Sequence, residues 1–226
     1  MLRRPFEQQQ RRLQDKVLVL GSQTEELLRD SVAALVRQGD ADRAIFLLKT
    51  GRQLSQNCAS AETDALALLA TQQPMAGDLR FLAAVFQISL ELGRVANHAG
   101  EIARISLKLG RSRHADALLH FDHLAESTLK MFHHALGAFA ERDAILARAI
   151  AVQDDEIDDL YSFINQHLRA ISRMAPHLVD QTLFISQAAH ELERVGDRST
   201  NICEWVLYAV TGELVETNVE AYERTH

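Results

Sequence analysis

Proline is scarce in this 226-residue chain: Pro5, Pro74 and Pro176 are all it has, and 6–73, 75–175 and 177–226 contain none. Proline lacks the amide hydrogen and clashes with the preceding helical turn, so a chain this poor in it can run in long helices. Folds rich in β-strand need more proline and glycine punctuation. Cysteine is thin as well. Cys58 and Cys203 are isolated, which excludes a disulfide framework and a cysteine-based zinc site. No run approaches the roughly 18 apolar residues of a membrane span. The residues after Met1 (Leu-Arg-Arg-Pro-Phe-Glu) contain no apolar stretch of the secretory kind, so a cytoplasmic protein is expected. With 47% hydrophobic and 24% charged residues the chain has a globular composition. Its net charge of −7 argues against a nucleic-acid partner, which is usually met by a basic stripe.

Apolar residues recur at mixed three- and four-residue spacing almost throughout, which is the helical period. Leu13, Val17, Leu20, Leu27 and Ala34 form one stripe, and Leu82, Val85, Leu92, Val95, Ala99, Ile102 and Leu109 another. Ile150, Ile157, Leu160, Ile164, Leu168 and Ile171 form a third; Ile185, Ala188, Leu192, Val195, Ile202, Val206 and Val210 form the last. Gly39-Asp40 ends one helix and caps the next, Asp143 caps the fifth, and Pro74 and Pro176 open two others. The pattern predicts six helices, roughly 6–38, 41–71, 75–109, 116–140, 144–173 and 177–211, followed by a fraying tail.

An internal repeat lies over these helices. Glu91-Leu-Gly-Arg-Val-Ala-Asn97 matches Glu191-Leu-Glu-Arg-Val-Gly-Asp197, the segment after Asp40 matches that after Asp143, and Pro74 and Asp78 match Pro176 and Asp180. Three helices repeated twice, with Gly110–His114 as the hinge, is the simplest architecture. The expected fold is therefore all-α, two tandem three-helix bundles over 1–112 and 113–226.

The second repeat carries two carboxylate pairs at i, i+4: Asp154 with Asp158, and Glu193 with Asp197, with Asn201 one turn further on. Residues four apart share a helix face, so each pair aims its oxygens one way. Like charges at this spacing repel, and a cation between the helices would reverse the sign. Oxygen-rich sets of this kind suit magnesium, manganese, calcium or non-haem iron. Glu193 and Asp197 flank the apolar stripe, which places the candidate site near the surface. A lone acidic pair is more often a solvated face. The first repeat, however, has Gly51, Ser55, Gly93 and Asn97 at the corresponding positions, while its flanking residues are kept. Segment 151–216 holds 12 Asp or Glu against 4 Arg, and segment 48–116 holds 6 against 8 Lys or Arg. One half is built to present an anionic site.

Other chemistries find little support. His190-Glu191-Leu-Glu-Arg194 begins like a zincin helix but has no second histidine. A ferritin-like di-iron bundle needs Glu-x-x-His on two helices, which the six predicted helices do not carry. Phosphate-loop, dinucleotide and nucleophile-elbow motifs are absent from the sequence. His98, His114, His120, His123, His133 and His134 read as surface or partly buried residues, and Trp205 as a packing residue. Arg3, Arg4, Arg11 and Arg12 form a basic end, read as a solvated helix terminus.

Three blocks carry a resemblance over nearly the whole length: Gln72-Gln-Pro-Met-Ala-Gly-Asp-Leu-Arg80, Asp154-Asp-Glu-Ile-Asp-Asp-Leu-Tyr161, and Glu191-Leu-Glu-Arg-Val-Gly-Asp-Arg-Ser-Thr-Asn-Ile-Cys-Glu-Trp-Val206, continued in Thr211-Gly212-Glu213. In these the chain resembles the PhoU family of phosphate-transport regulators. The resemblance implies a non-enzymatic, cytoplasmic homodimer, peripheral to a phosphate ABC transporter. It would regulate the phosphate-starvation response negatively through that transporter and a sensor histidine kinase. It also implies an acidic metal motif, which maps to Glu193 and Asp197 with Asp154 and Asp158 facing them, and Asn201 and Glu204 beyond. The metal would be iron, zinc, manganese or magnesium. Gly93, Asn97, Gly51 and Ser55 depart from the family pattern, which marks a second cluster as lost or the chain as a divergent paralogue. The alternatives are a metal-dependent enzyme using the same carboxylates and a purely structural helical scaffold.

Overall fold

Helices α1 (Arg3–Val36), α2 (Ala41–Gln72) and α3 (Ala76–Leu109) come from the first repeat. The second repeat supplies α4 (Phe121–Glu141), α5 (Ala144–Ala151), α6 (Asp154–Met174) and α7 (Val179–Thr211). Short 3₁₀ turns at Ala115–Leu118 and Pro176–Leu178 precede α4 and α7. The structure, a computed structural model, describes residues 3–37, 40–110 and 114–214, with side chains from residue 5 onward. Among the described residues there is no strand, and the chain is two three-helix bundles in tandem. Gly39, Arg111–Arg113, the side chains of Arg3 and Arg4, and the tail from residue 215 lie outside the described residues.

Several predicted ends are met by the expected chemistry. The Asp143 carboxylate accepts from the amides of Ile145 (2.9 Å) and Leu146 (3.0 Å), and Asp40 accepts from Asp42 (2.9 Å). Two expectations need correcting. The fifth predicted helix is broken at Val152–Gln153, where Gln153 donates back to the Ile150 carbonyl in a tight 3₁₀ step. The run Asp154-Asp155-Glu156 then starts a new helix, its negative charge in the first turn opposing the positive end of the dipole. Neither proline directly opens an α-helix: Pro74 precedes the N-cap Met75 of α3, and Pro176 begins the 3₁₀ turn before α7.

The two halves meet on α3 and α7, which run antiparallel. Arg80 lies against Gly212 at one end, and Lys108 sits 5.5 Å from the Phe184 ring at the other. Between them Arg198 is 3.4 Å from the Glu91 carboxylate, and His98 is 2.6 Å from that of Glu191. These two pairs occupy equivalent positions in the repeat, so the interface has an internal pseudo-twofold. On the opposite side α1 packs on α4, with Gly21 pressed against Leu136. Buried residues of all seven helices form one continuous core. No helix among the described residues is long and apolar enough to cross a membrane.

Candidate functional site

The helix break at 152–153 makes Asp154 the first residue of α6, and its side chain packs against Gly196 of α7. Asp154 is 7% exposed, lies against Gly196, and its Oδ1 has no hydrogen-bond partner among the described residues. Burial pushes its carboxyl up to about 7; the Thr200 hydroxyl opposes that rise, and the charges of Asp158, Asp197 and Glu193 add to it. Asp158, one turn along and open to solvent, is raised by partial desolvation and by Asp197 beside it. Glu193 is raised by burial first and Asp197 second, with His190 pulling the other way. Its Oε2 has no well-directed hydrogen bond, although His190 Nδ1 stands 3.1 Å away. The fold thus brings Asp154, Asp158, Glu193 and Asp197 into one electrostatic neighbourhood across α6 and α7. Asn201 is half-buried one turn beyond Asp197. Asp158 is exposed and Glu193 and Asp197 are half-buried, near the surface as expected, whereas Asp154 is buried.

Unpartnered buried carboxylate oxygens are expensive to keep anionic, and they are the groups a hard cation would take up. As placed, no three described His, Cys, Asp or Glu side chains converge closely enough to form a ready ligand set. Carboxylate oxygens are the donor type a hard cation takes. Two arginines already share the field of Asp197: Arg194 Nε and Arg198 Nη2, each 3.5 Å from its Oδ2.

In the first repeat Ser55 accepts a hydrogen bond from Asn97 at 3.2 Å, a neutral pair where the second repeat sets Asp158 and Asp197. At Gly51, the counterpart of Asp154, a Cβ would lie 2.8 Å from the Ala96 carbonyl oxygen and 3.3 Å from Gly100 Cα. The backbones of α2 and α3 touch there, leaving no room for a carboxylate.

Two contributors were not evident from sequence. His190 adjoins the carboxylates through Glu193, and its ring lies tilted against that of Tyr161 with centroids 5.8 Å apart. Its i, i+3 spacing to Glu193 was the available signal. Gly196 makes the space that Asp154 fills, and only its alignment with Ala96 hinted at that. Three other histidines are engaged elsewhere: His98 with Glu191, His133 with Glu25 at 3.0 Å, and His120 edge-on to Phe163. Trp205 packs partly buried on the core and against Tyr208.

The family described as PhoU domain matches residues 17–106 and again residues 121–206. The chain belongs to the PhoU family. Its similarity to relatives spans almost its full length. It is 31% identical over 219 residues to a phosphate-specific transport system accessory protein PhoU homolog of Clostridium acetobutylicum, covering 96% of this chain and 100% of that one. It is 28% identical to the phosphate-specific transport system accessory protein PhoU of Escherichia coli, covering 89% of this chain and 83% of that one. The crystal structure of PhoU from Pseudomonas aeruginosa superposes with a TM-score of 0.86 at 29% identity, over 92% of this chain and 100% of that one. The double PhoU match coincides with the internal repeat, so both bundles descend from the same unit even though only one keeps the carboxylates.

Proposed function

We propose that this chain is a non-enzymatic regulator of phosphate homeostasis. It restrains phosphate uptake and the phosphate-starvation response by docking, as a cytoplasmic homodimer, onto a phosphate ABC transporter and a sensor histidine kinase. The observation that carries this reading is the two-repeat, near full-length likeness to accessory proteins of phosphate-specific transport. Long helices with exposed polar faces supply docking surface.

Asp154, Asp158, Glu193 and Asp197, with Asn201 behind them, would hold one metal ion, of iron, zinc, manganese or magnesium. Its role would be to neutralise the carboxylates and draw α6 onto α7, so that the second bundle presents one fixed surface. The unpartnered Asp154 and Glu193 oxygens support that assignment. Deleting the gene in its host should derepress phosphate-starvation genes at high phosphate, with rescue by the wild-type chain. Unchanged expression contradicts the regulatory reading. Elemental analysis of protein purified without chelator tests the metal separately. Equal metal in wild type and in Glu193→Ala/Asp197→Ala removes the site.

A further inference from the structure

Beyond the carboxylates the space between α6 and α7 continues as an open groove of about 510 Å³, lined by Tyr161, Asn165, Leu168, Arg169, Arg173 and, from α7, Val179, Thr182, Leu183 and Ser186. From Tyr161 to Arg173 the α6 wall runs about 18 Å at 1.5 Å per residue, the length of some three helical turns.

The polar groups on the groove floor are already satisfied. Ser186 donates to Asn165 Oδ1 (2.5 Å), Asn165 Nδ2 donates to the Tyr161 carbonyl (3.1 Å), and Ser172 and Thr182 share a 2.6 Å contact. Thr182 also donates to the Val179 carbonyl at 2.9 Å. A small polar ligand would find few spare donors on such a floor. The rim differs. Arg169 and Arg173 are exposed, four residues apart on one face, and have no ion-pair partner among the described residues. They are the unpaired half of the four arginines in acidic segment 151–216, since Arg194 and Arg198 lie against Asp197. Two like charges at this spacing repel until an opposite charge is set against them. Beside them Val179 and Leu183 are 45% and 53% exposed. The matching stretch of α2 carries Leu66 and Ala70 in place of the arginines, so the rim charge is peculiar to the second repeat.

A cationic rim on α6 beside the exposed Val179 and Leu183 of α7 is complementary to an amphipathic helix with an acidic edge. We propose that the α6–α7 groove docks an acidic amphipathic helix of a partner protein. The carboxylates of that helix meet Arg169 and Arg173, and its apolar side chains lie on Val179 and Leu183. The inference rests on the adaptor reading for the existence of a protein partner, and it names the surface that partner uses.

The test is fluorescence anisotropy of the full chain with a labelled synthetic helical peptide of about 14 residues, Leu on one face and Glu along its edge. A Glu→Gln version of the peptide is the control. The Glu peptide should bind, weaken with added salt, and lose about tenfold or more in affinity with the Gln peptide or with Arg169→Glu/Arg173→Glu. Arg29→Glu, at an exposed position on α1, should leave binding unchanged. Both rim arginines are exposed, so far-UV circular dichroism of the double variant should match wild type. Equal binding of the Glu and Gln peptides, or no binding of either, overturns the proposal. So does displacement by free glutamate or inorganic phosphate at the peptide's own affinity, which would make the groove a small-anion site. A self-association lost only in the double variant, seen by ultracentrifugation, would assign the groove to a second copy and overturn it too. Derepression in the deletion strain without peptide binding removes the groove but keeps the regulator; binding without derepression does the reverse.

Discussion

Gly196 and Asp154 face each other across α7 and α6 so closely that a Cβ on Gly196 would lie 2.9 Å from Asp154 Oδ1 and 3.2 Å from two carbons of Ile157. The missing side chain makes the recess in which the deepest carboxylate of the site sits. Gly196→Ala should therefore push Asp154 outward. Alanine's better helix propensity returns about 1 kcal/mol, and the crowding costs a similar amount or more, so the net stability change is small. Metal affinity should fall much more than stability does. Calorimetric titration with manganese beside thermal unfolding separates the two. An unchanged affinity would mean that Asp154 does not bind the ion.

The stability of the metal-free protein should depend on pH through the same residue. Asp154 takes up its proton at about 7 in the fold, against 3.8 ordinarily. Between those values the folded chain binds more protons than the unfolded one, so stability falls as pH rises from about 4 to about 7. Glu193 and Asp158, also raised, act in the same direction. The whole effect is a few kcal/mol at most, since a tenfold change in proton affinity corresponds to about 1.4 kcal/mol. Asp154→Asn should flatten the profile and be more stable than wild type at pH 8, with little difference at pH 4. Urea midpoints of chelator-treated protein across that range give the answer, and a bound cation should restore stability at the alkaline end.

Helices, caps and the repeat were legible because they depend on local spacing: the apolar stripes, the Asp143 cap and the acidic blocks are all short-range patterns. The carboxylates stood out because their counterparts in the other repeat are neutral. The break at Val152–Gln153 was hidden, since Ile150 and Ile157 keep helical phase across it. His190 and Gly196 gain their roles only when α6 is laid on α7, a tertiary relation with little local trace. Gly51 could be read as the loss of an acid; that its Cα touches the backbone of α3 could not.

That contact makes the loss hard to reverse. Gly51→Ala should cost about 2 kcal/mol, because its Cβ meets a backbone carbonyl rather than a side chain that can move aside. Gly137→Ala is the control: nothing lies within 4 Å of its Cβ, and it should stabilise by about 0.5–1 kcal/mol. By the same reasoning Gly93→Glu/Asn97→Asp should not add a second metal equivalent, since no carboxylate fits opposite at Gly51. Thermal midpoints and metal stoichiometry check both statements. A second bound equivalent would show that α2 can retreat from α3.

The joint between the repeats offers an unequal pair of ionic contacts at equivalent positions. Glu91 is 3% exposed and lies 2.8 Å from Arg94 Nη1 and 3.4 Å from Arg198 Nη1. Glu191, its counterpart, is about one-fifth exposed and meets His98. Removing Glu91 leaves the largely buried Arg198 with Asp197 alone as a partner, so Glu91→Ala should cost about 2 kcal/mol. Glu191→Ala, more open to water, should cost about 1 kcal/mol or less. A double-mutant cycle of Glu91→Ala with Arg198→Ala should recover part of the loss, because it removes both charges together. Since α3 and α7 share one continuous core, the Glu91 variant should still unfold in a single calorimetric transition at a lower temperature. Two separated transitions would instead mean that the bundles fold independently and that the Glu91–Arg198 contact is what couples them.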